Sequence, residues 1–171
     1  MTILSLNKLL KAELESLDKQ LKARSRTEVE MINIMSDHII SSGGKRLRPL
    51  MLLLSAYSVN NQLENKVIDS SVVVEFIHAA TLLHDDVVDM SHIRHNVDTA
   101  NIIWGNKGAV LVGDFLYSRA FEIIVEINNM LVYETLAQTT NIIAQGEVMQ
   151  LTNIGNIDIN ENLYMDIIFR K

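Results

Sequence analysis

Residues 66–90 read KVIDSSVVVEFIHAATLLHDDVVDM, and this stretch decides the fold. Apolar residues occur on nearly every face of the helix that it would form, whereas a helix on a protein surface has a single apolar stripe. A helix that is apolar all round is surrounded by others. The stretch therefore predicts a buried central helix.

The rest of the chain also favours helices, because one proline and seven glycines in 171 residues leave few positions where a helix must end. Four leucines step by four, three and four residues and predict one stripe of a first helix: Leu10, Leu14, Leu17 and Leu21. Pro49 suits the first turn of a helix. Further helices are predicted over residues 28–39, 50–59, 107–127 and 131–151.

The last helix is predicted to begin at a capping box formed by Asp158 and Glu161 and to continue to Lys171 without a stop signal. We therefore expect a chain that is incomplete at its C-terminus. Residues 92–105 are polar and are predicted to be irregular. Without repeats or a low-complexity linker, the prediction is an all-α helical bundle in which residues 1–171 form a single domain.

Composition narrows the class of protein. A formal charge of -6 argues against nucleic acid as a partner, and 48% hydrophobic residues exclude intrinsic disorder. The absence of cysteine excludes disulfides and thiolate zinc sites. Residues 1–10 have neither a basic leader nor a long apolar run, and we expect neither a signal peptide nor a transmembrane segment. A cytoplasmic location is the expectation.

The central helix ends in three carboxylates within five residues, Asp85, Asp86 and Asp89, and we call residues 85–89 the acidic turn. Asp85 and Asp89 share one helix face, and Asp86 lies close to the same rim. Like charges at the negative end of a helix dipole require a positive partner. Oxygen ligands favour Mg²⁺, which takes one or two carboxylates plus substrate phosphates. A solvated acidic helix end is the alternative.

Residues 43–49 read GGKRLRP, and we call them the basic loop. Glycines allow close approach of the backbone to a ligand, and arginine forks match phosphate oxygens, so a diphosphate is the natural ligand. The spacing is not that of a nucleotide P-loop. A basic loop paired with surface acids is the alternative.

Weaker candidates lie elsewhere in the chain. His78 is seven residues before Asp85, two helical turns along the same face, and could donate to a phosphate or be a packed core residue. Arg94 could hold the anion that the metal holds, or be solvated. Glu147 and Gln150 could supply oxygen ligands or interhelical contacts.

Together these residues resemble the trans-type polyprenyl diphosphate synthases. Residues 43–49 are similar to the GGKRxRP motif of that family, residues 85–89 to its first aspartate-rich motif DDxxD, and residues 99–121 to the segment that follows. The resemblance covers nearly the whole chain and points to the N-terminal portion of an enzyme of the long-chain, octaprenyl- or heptaprenyl-like branch.

The resemblance implies a bundle of the isoprenoid synthase type, a homodimer, and condensation of isopentenyl diphosphate with an allylic diphosphate. It implies that isopentenyl diphosphate is bound by Lys45, Arg48 and His78. It implies that Asp85 and Asp89 are catalytic and hold Mg²⁺. It also implies contacts to the allylic diphosphate from Arg94 and Lys171.

The sequence departs from the family pattern at several positions. His95 stands where the family has a second arginine that contacts isopentenyl diphosphate, and a neutral histidine offers one donor where arginine offers five. No second aspartate-rich motif occurs up to Lys171, so we expect the chain to be weak or inactive alone.

By the same resemblance, the small residues Thr81 and Ala80, four and five positions before the first aspartate, imply a medium or long product such as a quinone side chain. Two other classes remain open. A noncatalytic binding subunit on the same fold is one. A class I terpene cyclase is the other, and the basic loop argues against it.

Overall fold

The computed structural model describes residues 6, 8–41, 44–60 and 63–171. The chain divides into two compact units, Met1–Ile127 and Asn128–Lys171, and each is described by itself. The prediction of one domain over residues 1–171 stays a prediction. In the first unit the described elements are α1 (Lys11–Arg24), α2 (Glu30–Ser41), α3 (Leu47–Val59), α4 (Asn65–Val88), β1 (Ile93–Arg94), β2 (Val97–Asp98) and α5 (Ala100–Ile127). The second unit contains α6 (Met130–Thr152) and α7 (Glu161–Arg170).

The all-α prediction is confirmed, and α4 is the central helix. Its interior face is formed by residues with no exposed surface: Val72, Val73, Phe76, Ala80 and Leu83. The leucine stripe of α1 is also buried, with Leu10, Leu17 and Leu21 fully covered. Leu10 packs in one apolar cluster with Leu50 and Leu53 of α3 and Ile68 of α4. Helical spacing therefore located the core correctly.

By length and composition alone, α4 is apolar enough to cross a membrane. Within its most apolar window, 56% of the residues are buried inside the fold. One such helix is weak evidence for a membrane span, because a buried core helix passes the same test. Packing against neighbouring helices accounts for the apolar character of α4.

The prediction of an irregular segment over residues 92–105 was wrong. Strands β1 and β2 pair in antiparallel register, Arg94 opposite Val97, around a turn at His95 and Asn96. Both turn residues have positive φ, 52° and 65°, as the two-residue type I′ hairpin turn requires. Helix α5 begins directly afterwards at Ala100.

Helix α5 is interrupted at Gly105, where φ is 81° and ψ is 159°. Only glycine adopts this region of backbone space readily. The predicted start near residue 107 therefore marks the second segment of α5 rather than its beginning.

The predicted capping box at Asp158 and Glu161 was also wrong. The N-cap of α7 is Asn160, whose side-chain oxygen accepts a hydrogen bond from the backbone N–H of Leu163. Asparagine two residues later satisfies the same orphan donors that Asp158 was expected to satisfy.

Candidate diphosphate and metal site

Arg46 anchors the basic loop to the core. It is the N-cap of α3 and has a left-handed backbone, with φ 46°. Its guanidinium lies 2.5 Å from Glu75 Oε1 on α4, 2.7 Å from the carbonyl oxygen of Ile40, and 3.5 Å from Asp18 Oδ1 on α1. Arg46 thus ties the loop to three helices. Gly43, the first of the two predicted glycines, lies outside the described residues.

A cavity of about 600 Å³ lies beside the loop, and residues 44–48 contribute to its lining. All four residues assigned to isopentenyl diphosphate from the sequence line this cavity: Lys45, Arg48, His78 and His95. Lys45 and Arg48 are exposed, as is His95 in the hairpin turn. The structure therefore brings together residues from a loop, a helix and a hairpin, and the ligand that they bind stays a prediction.

His78 and Arg48 form a direct contact, with His78 Nε2 3.0 Å from Arg48 Nη1. Arginine only donates hydrogen bonds, so His78 Nε2 accepts and its imidazole is neutral in this arrangement. Burial, followed by the positive charge of Arg48, holds the pKa of His78 below its ordinary value, and Arg94 and Arg46 add to the effect while Glu75 opposes it. His78 therefore orients Arg48.

The three acids of the acidic turn occupy different environments. Asp86 is buried, Asp85 is half-buried, and Asp89 is exposed at the C-cap of α4. Asp86 pairs with Arg94 of β1, whose Nη2 lies 2.8 Å and Nε 3.2 Å from Asp86 Oδ1. The expectation that Asp86 lies on the same rim as Asp89 was wrong, because Asp86 turns inward to meet this arginine.

Arg94 is consequently a structural counterion. Its side chain keeps 30% of its surface exposed and also lines a second, smaller cavity with His78 and His95. Its contact with an allylic diphosphate stays a prediction.

Sequence reasoning missed the residues that fasten the end of α4. The side-chain amide of Asn101 donates to the carbonyl oxygens of Asp86 and Ser91, each at 3.1 Å. The hydroxyl of Thr99 donates to Ser91 at 2.7 Å. Thr99 and Asn101 were recognised only as part of a family-like segment, and no local pattern marks them as a clamp on a distant helix end.

In the second unit, Lys171 contacts two residues of α6. Its Nζ lies 2.9 Å from Glu147 Oε1 and 2.6 Å from Gln150 Oε1. Glu147 and Gln150 thus serve as an interhelical polar contact. The assignment of Lys171 to the allylic diphosphate stays a prediction.

Among the described residues, His, Asp and Glu do not form a group of three or more that could hold a metal ion. Asp85 and Asp89 remain as a pair of oxygen donors at one helix end. Mg²⁺ is normally held by one or two carboxylates, with water and substrate phosphates completing its shell. The donor set therefore fits a site that protein and ligand build together.

Comparison with known proteins shows the family to which the chain belongs. The polyprenyl synthetase family model matches residues 29–171. Octaprenyl diphosphate synthase of Escherichia coli is 39% identical over 171 residues, which cover 100% of this chain and 53% of the relative. The crystal structure of a polyprenyl synthase from Caulobacter crescentus, complexed with calcium and isoprenyl diphosphate, is 40% identical with a TM-score of 0.93, covering 98% of this chain and 51% of that one.

A decaprenyl diphosphate synthase from Rhodobacter capsulatus is similar to the same degree, with 39% identity and a TM-score of 0.94 over 99% of this chain and 52% of that one. The chain spans about half the length of the curated relatives it matches. The family model covers most of the chain, and the two quoted motifs lie on the elements described above. On this basis the chain belongs to the polyprenyl synthetase family.

Proposed function

We propose that the chain carries the diphosphate-binding half of an all-trans polyprenyl diphosphate synthase, an enzyme that condenses isopentenyl diphosphate with an allylic diphosphate. One observation carries the proposal. His78 and Asp85 project from α4, and Asp89 is its C-cap. His78 lies beside the cations of the basic loop, and the two acids lie about 10 to 17 Å further along the helix. One rigid element thus sets the spacing between a cationic and an acidic site.

The cavity beside the basic loop suits an anion. Lys45 and Arg48 bring two positive charges to it, and the nearby Glu75 is already paired with Arg46. The arginine fork matches phosphate oxygens, and His78 holds that fork in place. We propose that isopentenyl diphosphate binds here, with His95 as a fourth, weaker contact.

The acidic turn is proposed to hold Mg²⁺ through Asp85 and Asp89. Mg²⁺ would neutralise the charge that builds up on the departing diphosphate of the allylic substrate. The chain's own contribution is to orient the two carboxylates and to hold Arg94 nearby against Asp86. The calcium in the Caulobacter crescentus structure supports a divalent cation in this family.

The position of the small residues supports a medium or long product, such as the side chain of a quinone. Ala80 is fully buried, and the Thr81 hydroxyl donates back to the carbonyl oxygen of His78 at 2.9 Å. Neither residue projects a bulky group from α4. We also propose a cytoplasmic homodimer.

The test is an assay with labelled isopentenyl diphosphate, an allylic primer and Mg²⁺, followed by sizing of the dephosphorylated products. A full-length protein containing this segment is expected to give a ladder of prenyl alcohols, and the 171-residue chain alone little or none. Asp85→Ala is expected to remove most turnover from the full-length protein, because it removes a proposed metal ligand. Unchanged turnover in that variant would contradict the metal assignment.

A noncatalytic binding subunit is the second candidate. The histidine at position 95, where the family resemblance implies an arginine, favours this candidate, whereas the carboxylates of Asp85 and Asp89 argue against it. This candidate predicts binding of isopentenyl diphosphate without product in any combination of primer and metal. A cyclic hydrocarbon formed without uptake of isopentenyl diphosphate would instead indicate a terpene cyclase.

A further inference from the structure

His84 lies immediately before the acidic turn, and its imidazole is seated on α5. His84 Nε2 is 3.2 Å from the carbonyl oxygen of Val110 and 3.4 Å from Asp114 Oδ1. A carbonyl oxygen and a carboxylate are both acceptors, so Nε2 carries a proton and donates. One side chain thereby links α4 to two successive turns of α5.

Gly113 provides the space for this ring. A Cβ atom built at Gly113 would lie 2.3 Å from His84 Nε2 and 2.6 Å from its Cδ2, distances that real Cβ atoms do not show. Gly108, one and a half turns earlier on α5, differs: a Cβ there would meet Trp104 and Met35 at 3.5 and 3.6 Å, ordinary contacts. The close approach of helix and ring is therefore specific to Gly113.

The residue on the other side of Asp85 is held as well. Asp86 accepts from Arg94 through its carboxylate at 2.8 Å and from Asn101 through its carbonyl oxygen at 3.1 Å. Asp85 thus lies between two residues that are each fixed to another element. Because neighbouring residues of an α-helix are about 100° apart, fixing His84 and Asp86 fixes the direction of Asp85.

We propose that His84 is a positioning residue. Its ring lies over Gly113 and fixes the rotation of the last turn of α4, so that Asp85 and Asp89 face a divalent cation and a diphosphate. The inference rests on the proposed function, since it assumes that these two carboxylates bind the cation. Groups that orient metal ligands typically change metal affinity about 10- to 100-fold when they are removed.

The experiment measures binding rather than turnover, with Mn²⁺ and inorganic pyrophosphate as probes. Free Mn²⁺ is followed by electron paramagnetic resonance in the 171-residue chain, and thermal unfolding is recorded in parallel. His84→Ala is expected to weaken binding at least about tenfold while the chain stays folded. His84→Gln, whose amide nitrogen can donate from a similar position, is expected to recover most of the affinity. Gly108→Ala is the matched control and is expected to bind like the parent chain.

Gly113→Ala is expected to lower both the unfolding temperature and the affinity, because the new methyl group displaces the ring. Combining it with His84→Ala removes the clash. The double variant is expected to unfold at the temperature of His84→Ala and to remain weak in binding. If Gly113→Ala does not fold, the double variant and the His84 pair still decide the question.

The proposal is overturned if folded His84→Ala binds Mn²⁺ and pyrophosphate as tightly as the parent, or if His84→Gln binds no better than His84→Ala. Asp85→Asn separates this failure from failure of the proposed function. Loss of binding in Asp85→Asn with parent-like binding in His84→Ala refutes only the positioning role. Parent-like binding in Asp85→Asn refutes the metal assignment and with it the inference.

Discussion

The basic loop and the acidic turn each carry three like charges, and in each the structure turns one of them inward against an opposite charge. In the basic loop this residue is Arg46, paired with Glu75, and in the acidic turn it is Asp86, paired with Arg94. In our proposal the other charged residues of each motif contribute to ligand binding. In each motif, one charged residue therefore fixes the backbone from which the other charged residues project.

The two ion pairs differ in the burial of the partner residue and in the number of contacts that the anchor makes. Arg46 contacts three helices, and its partner Glu75 retains only 9% of its side-chain surface. Arg94, in contrast, keeps 30% exposed and can return to water if Asp86 is removed. The basic loop needs the stronger anchor because its backbone is left-handed at Arg46, whereas the acidic turn ends a regular helix.

The largest effect is expected from breaking the Arg46 anchor. Arg46→Met leaves the buried Glu75 carboxylate without its counterion, and the free energy of unfolding should fall by about 3–5 kcal/mol. Chemical denaturation measures this change. Lys45→Met, an exposed change one residue away, is the control and should stay within about 0.5 kcal/mol. The double variant Arg46→Met with Glu75→Leu should recover most of the loss, and no recovery would contradict the role of the pair.

A smaller loss is expected from the equivalent change in the acidic turn. Asp86→Asn keeps the size of the side chain but removes its charge, and should lower the free energy of unfolding by about 1.5–3 kcal/mol. A double-mutant cycle with Arg94→Gln isolates the pairwise contribution. A loss as large as that of Arg46→Met would show that the two anchors do not differ as we infer.

The pH dependence of stability sharpens the comparison on the basic side. The pKa of His78 is lowered from 6.5 in the folded chain, first by burial and then by Arg48. Below pH 6.5 the His78 side chain takes up a proton in the unfolded chain more readily than in the folded chain. The contribution of His78 to the free energy of unfolding is therefore fully present above that pH and is lost as the pH falls toward the folded pKa. Denaturation curves between about pH 5 and 8 should show this loss, and His78→Gln should reduce it. An equal slope in both proteins would exclude His78 as its source.

The smallest effect is expected at Asp89, and its sign is reversed. This exposed carboxylate lies at the C-cap of α4, where the helix dipole disfavours negative charge. Asp89→Asn should raise the free energy of unfolding by a few tenths of a kcal/mol while weakening Mn²⁺ binding. Destabilisation by the same substitution would mean that Asp89 has a structural role in the turn.

Much of the fold followed from helical periodicity. The leucine stripe of α1 and the all-round apolar character of α4 located the core, because burial on these helices repeats with the helix period. The hairpin at residues 93–98 could not be found in this way, since two-residue strands have no periodicity. Its signal was local: asparagine at position 96 suits a positive φ, and both turn residues adopt one.

The candidate site was predictable in its chemistry and less so in its geometry. The family resemblance assigned Lys45, Arg48, His78 and His95 to one ligand, and the structure places these residues around one cavity. The sequence could not show which charged residue of each motif turns inward. Glu75 is far along the chain from Arg46, and Arg94 lies outside the acidic motif whose Asp86 it neutralises. Such pairing depends on tertiary packing rather than on spacing.

Gly105 gives α5 a property that its length conceals. Nothing lies within 4 Å of a Cβ built there, so a side chain is excluded by chirality alone and not by neighbours. The five residues before Gly105 form a short helical segment, and its Asn101 donates a hydrogen bond to the end of α4. The segment after Gly105 contributes buried residues to the core. The backbone conformation of Gly105 therefore separates the segment that contacts α4 from the segment that packs in the core. A D-alanine introduced by chemical ligation would preserve that conformation, whereas every L-residue would strain it.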